Sequence, residues 1–377
     1  MLILGILVGL FVLVVLVALH ELGHAIVARR NGVVVEEFGI GMPPRAWKKK
    51  LKNGVLFTLN WLPIGGFVKL QGEHDAANKK GDYGAATFWQ KTKILLAGVA
   101  VNWLIAVVLL TILAFIGLPK ILPNQFSIAS DTQTTYSPVR ILGVAGGYPA
   151  AASGLQKDDV ITKINDVSIT TTQQFIDQSL ALRGQEVSVG YERSGAKQTT
   201  SVTLKDADTG VFGAQLGQSE KIRATWSAPL VGIVATGQYT WATLQGLGTL
   251  VADTVTGLAG KLNPNETARQ QADEKLARAS ESVAGPVGIL GTIFPSASEA
   301  GFTQVLFLAA IISLTLAVMN ALPIPALDGG RWFVTALYKV RGKKLKKERE
   351  ESIHGTGFMI LILLILVITV VDITKLF

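Results

Sequence analysis

The sequence predicts a polytopic α-helical membrane protein with four transmembrane helices, a membrane-associated β-hairpin or sheet after the first, and a strand-rich extracytoplasmic insert. Three observations predict it. Of 377 residues, 49% are hydrophobic and only 16% charged, whereas a soluble domain carries about 25% charged residues. Apolar runs long enough to cross a bilayer, which takes roughly 20 residues, recur at separated points along the chain. The polar stretches between them alternate in charge.

The first span is residues 1–28, apolar from Leu2 to about Ala28. A signal peptide is the competing reading, but Arg29 and Arg30 follow the apolar run instead of preceding it, which favours a retained helix. Residues 29–93 form a polar loop, 94–118 the second span, and 303–330 the third, interrupted near Pro323 and Pro325. Residues 331–354 form a second basic loop and 355–375 the fourth span. Between Arg29 and Lys93 there are 12 Lys/Arg against 5 Asp/Glu, and between Arg331 and His354 there are 8 against 3. The stretch from Lys120 to Thr303 has 14 against 16. Cytoplasmic loops are enriched in Lys and Arg, so both basic loops are assigned to the cytoplasm, and the N-terminus and the central region to the outside. The net charge of +8 is therefore read as membrane topology, with no nucleic-acid partner.

Thr225 to Ala252 is free of charge and competes as a fifth span. Its Gly, Thr and Gln content, with Trp226, Tyr239 and Trp241, suits an interface better. Residues 222–300 are therefore expected to form helices on the outer membrane surface or packed on the spans. With four spans, residue 328 emerges at the same side as the end of the first helix; a fifth span would send it to the other.

That geometry matters because of the first helix. It reads His20-Glu21-Leu22-Gly23-His24. Residues four apart share a helix face, so two imidazoles can grip one zinc while Glu21 reaches its water as general base. The null alternative is a chance pattern on a surface helix. Ionisable groups inside an apolar span are costly, however, and call for a function. The chain has no cysteine, so thiolate sites are excluded. A catalytic zinc site takes three protein ligands and an open position. Asp328 leads for the third: it follows two prolines that break the third helix, where the freed backbone can turn inward. His74 and His354 fall in polar sequence and rank behind it. Asn320, one to two turns before the break, is placed to hydrogen-bond substrate backbone or an oxyanion.

The His-Glu-x-x-His of the first span, paired with Asn320, Pro323, Pro325, Leu327, Asp328 and Gly329, resembles the site-2 protease family of intramembrane metalloproteases. The resemblance covers the whole chain and is nearest the bacterial RseP-type group. It implies one Zn2+ per chain and regulated cleavage of single-pass membrane proteins, such as anti-sigma factors or remnant signal peptides. It also implies an upstream site-1-type protease and a bacterial plasma membrane. Gly39, Gly41 and the Gly66-Phe67-Val68 stretch resemble the family's membrane-dipping sheet, whose edge presents a strand to unwound substrate; a simple surface hairpin is the plainer reading. Pro323 and Pro325 belong to the same substrate-binding set.

Within residues 122–210, Ile141–Val144, Asp159–Asn165, Glu186–Glu192 and Thr199–Leu204 read as strands. Pro149–Leu155 and Thr172–Leu182 read as helices. This order resembles one PDZ domain of the circularly permuted bacterial type, where the RseP-type group carries two. A size filter that excludes bulky ectodomains is favoured over a peptide sensor. Glu266–Glu281 reads as a solvated helix. Two rival classes stand beside the protease: a non-catalytic scaffold, against which Glu21 argues, and a zinc transporter, which would spread its polar groups along a path.

Overall fold

The computed structural model describes residues 2–375, in two compact units: Met1–Leu113 with Ala228–Phe377, and Ala114–Ser227. Four helices are long and apolar enough to cross a membrane: Leu2–Arg30, Phe88–Ile116, Phe302–Ala321 and Lys347–Thr374.

In the first unit, α1 (Leu2–Arg30) has no polar side chain before His20 and ends on the basic pair Arg29 and Arg30. The Asn31 side chain donates to Val27 O at 2.8 Å, satisfying one of the carbonyls that a helix end leaves open. Two strands follow, β1 (Val35–Lys50) and β2 (Leu56–Leu70). They do not form a plain hairpin. Residues 37–40 pair with 66–69 on one side and with 56–59 on the other, and 56–59 pair in turn with 47–50. Two bent strands thus make four lanes, with Gly66–Leu70 as one outer lane that has no further strand beside it among the described residues. Buried Glu37 ties the lanes together, accepting from Thr58 Oγ1 at 2.9 Å and Arg45 at 2.7 Å.

The second span is built from α2 (Phe88–Leu95) and α3 (Ala97–Ile116). α2 starts on a capping box, Thr87 accepting from Gln90 N and the Gln90 side chain from Thr87 N, so both orphan donors are met.

The second unit holds β3 (Leu118–Pro119), β4 (Gln133–Tyr136), β5 (Val139–Val144), α4 (Pro149–Ala152), β6 (Val160–Ile164), β7 (Val167–Ser168), α5 (Thr172–Ala181), β8 (Glu186–Arg193), β9 (Ala196–Thr203), β10 (Ala214–Gly217) and β11 (Glu220–Arg223). Its main sheet runs β10-β5-β6-β8-β9, with β7 on β6. Alternate residues such as Val139, Ile141, Ile161, Val187 and Val189 point into one core with Phe175 of α5. The unit thus runs past residue 210: β10 closes the sheet edge, and β3, β4 and β11 form a second small sheet.

Asp159, whose side chain is 1% exposed, is held by Arg193 through two hydrogen bonds of 2.7 Å and by Gln156 N at 2.8 Å. Burial pushes its carboxyl up, but these bonds outweigh burial and hold it below the usual carboxylate range. A depressed folded-state pKa contributes stability above the unfolded value, about 3.9, and loses it as pH falls through the folded one. Asp159→Asn keeps the shape but removes the charge from a pair worth about 2 kcal/mol. Amides of β6 and β8 in the intact protein should then exchange roughly 30-fold faster. Wild-type protection, corrected for intrinsic rates, should fall below about pH 4 and be flat from there to pH 8.

Back in the first unit, α6 (Ala228–Lys261) is a single helix of 34 residues. Its first half packs on the spans rather than lying free. Gly232 abuts Thr111, Thr240 Oγ1 meets Trp103 Nε1 at 3.2 Å, and the Tyr239 ring lies 6.1 Å from that of Phe307. α7 (Glu266–Glu281) folds back along its second half, with Lys261 pairing Asp273. Short α8 (Pro286–Gly288), a π-helical turn and α9 (Phe294–Glu299) lead into the third span, α10 (Phe302–Ala321), followed by α11 (Asp328–Val340) and the fourth span, α12 (Lys347–Thr374).

Candidate metal centre

Two breaks in helical regularity build the site. α10 ends at Ala321 because Pro323 and Pro325 cannot continue it. The chain then turns through Ala326 at φ +79°, a conformation seldom used by residues with a Cβ, and restarts with Asp328 as the first residue of α11. Folding back this tightly requires glycine at 329, since a Cβ there would lie 2.6 Å from Leu322 O. α12 braces the turn: His354 Nδ1 accepts from Ala326 N at 3.2 Å. His354 thus holds the loop and is not among the grouped ligands, and His74 pairs with Glu351 at 3.6 Å.

The turn delivers Asp328 to the first helix. Asp328 Oδ2 lies 3.1 Å from His20 Nε2 and 3.2 Å from His24 Nε2, and the two Nε2 atoms are 3.1 Å apart. Among the described residues these three form the one group of His, Asp or Glu able to hold a metal ion. Ligands placed tetrahedrally around zinc at 2.0–2.2 Å stand about 3.3–3.5 Å from one another. The near-equilateral triangle therefore needs only a few tenths of an ångström to accept the ion. A second observation agrees. Gly98 of α3 faces the ring nitrogens, and a Cβ there would lie 2.5 Å from His20 Nε2 and against His24 Nε2. The residues leave a cradle, and the donor set suits zinc.

Glu21, one residue on from His20, opens into the same cavity of about 200 Å³ as His20, Asn102, Asn320 and Asp328. Gly66 of the outer β lane reaches it, with its Cβ position 3.5 Å from Glu21 Cγ. Asn320 is the penultimate residue of α10, closer to the break than one turn, and donates to Leu316 O at 3.1 Å. The other sequence candidates do not line this cavity. Gly39 makes room for the Phe67 ring, Gly41 takes φ +78° where the strand bends, and Pro325 packs on Gly357 of α12. Val68 follows Phe67 along the outer lane, and Pro323 acts by ending α10.

Three residues that pattern reading passed over support the candidate ligands. His24 Nδ1 donates to Ile94 O at 2.7 Å, Gly98 supplies the cradle, and Asn102 meets His20 Nδ1 at 3.2 Å. They lie four apart along the second span. The available signal was Asn102 itself, an amide inside an apolar run, since such groups mark helix contacts.

The sequence profile of peptidase family M50 matches residues 8–364. The chain belongs to peptidase family M50. Among its relatives, the zinc metalloprotease RasP of Shouchella clausii is 28% identical, over 96% of this chain and 97% of that one. RasP of Oceanobacillus iheyensis is 27% identical over 96% and 97%. A solved PDZ domain of an SdrC-like protein from Listeria monocytogenes is 27% identical, covering 22% of this chain and 90% of that domain, with a TM-score of 0.20. This M50 member is a membrane-embedded metalloendopeptidase whose cofactor is zinc.

Proposed function

We propose that this protein cuts single-pass membrane proteins within or near the bilayer, with zinc held by His20, His24 and Asp328 and with Glu21 as general base. The observation that carries the reading is the donor triangle of His20 and His24 on the first span and Asp328 just past the third, with His20 and Asp328 opening into one cavity with Glu21, near a β lane whose outer edge has no further strand among the described residues. Zinc, when bound there, supplies Lewis acidity to water and to the scissile carbonyl. Glu21 takes the proton of the attacking water and returns it to the leaving amine. Asn320 uses one N–H on Leu316 O and turns the other to the substrate backbone or developing oxyanion.

A substrate helix hides its amides in its own hydrogen bonds, so it must unwind before cleavage. The Gly66-Phe67-Val68 lane offers main-chain groups to the unwound segment, next to Glu21. Loop charge supports a cytoplasmic placement for the β lanes and zinc end, and an extracytoplasmic one for the N-terminus and the 114–227 unit, in a bacterial plasma membrane. That unit, read as a PDZ domain, serves as a size filter. Substrates are then stubs left by an upstream protease, anti-sigma factors or remnant signal peptides among them.

The test is cleavage of a model transmembrane helix by the purified, reconstituted protein. Wild type should cleave it, a strong chelator should abolish cleavage, and stoichiometric zinc should restore it. Chelator-resistant cleavage would sink the metal reading. A substrate with a folded ectodomain should be cut at least tenfold more slowly than its trimmed form, and the difference should vanish when residues 120–224 are deleted.

A further inference from the structure

Asn102 sits within an apolar span, 1% exposed. Its carboxamide nitrogen is drawn 3.2 Å from His20 Nδ1, but amide oxygen and nitrogen are assigned from the partners they face. With nitrogen towards the ring, Nδ1 accepts, Nε2 of the neutral imidazole carries the proton, and no lone pair faces Asp328. That orientation also leaves Asn102 Oδ1 buried without a hydrogen-bond partner, a costly state for a buried acceptor. His24 shows what a ligand requires. Its Nδ1 faces the Ile94 carbonyl, a pure acceptor, so Nδ1 carries a proton and Nε2 is the nitrogen left for a metal.

We propose that Asn102 is the positioning residue of His20: its Oδ1 accepts the Nδ1 proton and so commits Nε2 to the metal. Turning the carboxamide over gives Oδ1 a donor in the ring and makes Nδ1 of both histidines the proton-bearing nitrogen. Asn102 is itself anchored, since its main-chain carbonyl accepts from Ser313 Oγ of α10 at 2.8 Å. The helix that ends at the Asp328 turn therefore also fixes the residue that orients His20. Groups that orient a metal-bound histidine typically contribute 10–100-fold in affinity.

The inference rests on the zinc reading, and the experiment separates the two. Zinc affinity is measured by chelator competition on the full-length protein for wild type, Asn102→Leu, Asn102→Asp and His24→Ala, with the visible spectrum of the Co2+-loaded forms. Asn102→Leu should bind zinc 10–100-fold more weakly. Asn102→Asp, which only accepts when ionised, should stay within about threefold of wild type and keep its Co2+ spectrum. Asn102→Asp falling with Asn102→Leu, or Asn102→Leu binding like wild type, would overturn the proposal. Should Asn102→Leu not fold, Asn102→Asp alone decides, since it keeps zinc only if the oxygen faced the ring. Wild type that binds no zinc, or His24→Ala that binds as well as wild type, defeats the metal reading instead.

Discussion

Replacing Glu21 by glutamine is expected to leave zinc bound and to slow cleavage by about 10²–10⁴-fold. Glutamine has nearly the size of glutamate and keeps an acceptor oxygen, so the cavity it shares with His20, Asn320 and Asp328 is preserved. It cannot take up a proton at neutral pH, and both proton transfers of peptide hydrolysis then fall to bulk water, which the enclosing spans restrict. The zinc triangle does not use Glu21, so metal content should equal that of wild type. This pairing of results distinguishes the general base from a fourth ligand, whose loss would deplete zinc. It also distinguishes a protease from a scaffold, because a scaffold needs no base and would bind client helices equally with either residue. Cleavage by Glu21→Gln within a few-fold of wild type would end the proposed mechanism, whatever the metal content.

His20, Glu21, His24 and Asp328 were legible in the sequence because their cost was visible there. An ionisable group in an uninterrupted apolar run cannot be explained by solvent, and a proline pair at the end of such a run marks where backbone can turn inward. The supporting residues were not legible in the same way. Ile94 acts through its carbonyl, which every residue has, and Gly98 acts through the absence of a side chain. Asn102 meets His20 across 82 positions, and only the packing of α3 on α1 brings them together. The same reason explains β10: three half-buried residues and exposed Gln215 carry little alternation of their own, and they become a strand because β5 presents a free edge. The lanes of β1 and β2 read in sequence as a hairpin or sheet, because successive extended runs are separated by turn residues. Their doubling back depends on bends near Gly41 and Gly65, both at positive φ, which period-two pattern does not encode. In α6, composition left open an interface or packing on the spans, and Gly232, Tyr239 and Thr240 pack it on α3 and α10. Threonine, glycine and tyrosine that look like interface residues are equally suited to close helix contact.

Gly98→Ala tests that kind of residue most severely. The added methyl would stand 2.5 Å from His20 Nε2 and 2.6 Å from its Cε1, where carbon and nitrogen need about 3.5 Å. It would fill the cradle between the two rings that a metal has to enter. Retreat of α3 would pull apart the close packing that α1 and α3 make at Gly23, whose Cβ position lies 2.8 Å from Val101 Cγ2 and 3.0 Å from Ala97 O. The rings must rotate instead, which breaks the bond from His24 Nδ1 to Ile94 O. Helix propensity works in the other direction, alanine being better than glycine by about 1 kcal/mol in a helix interior, so the protein should still fold and insert. The expected outcome is a zinc affinity lowered more than 100-fold, about 2.7 kcal/mol or more, with cleavage lost in step and melting of the zinc-free form unchanged or slightly raised. Gly237→Ala and Gly246→Ala are the controls, since a Cβ at either meets nothing within 4 Å; both should match wild type in zinc and rate. Full zinc occupancy in Gly98→Ala would mean that the rings do not meet over Gly98, and the donor triangle could not stand as drawn.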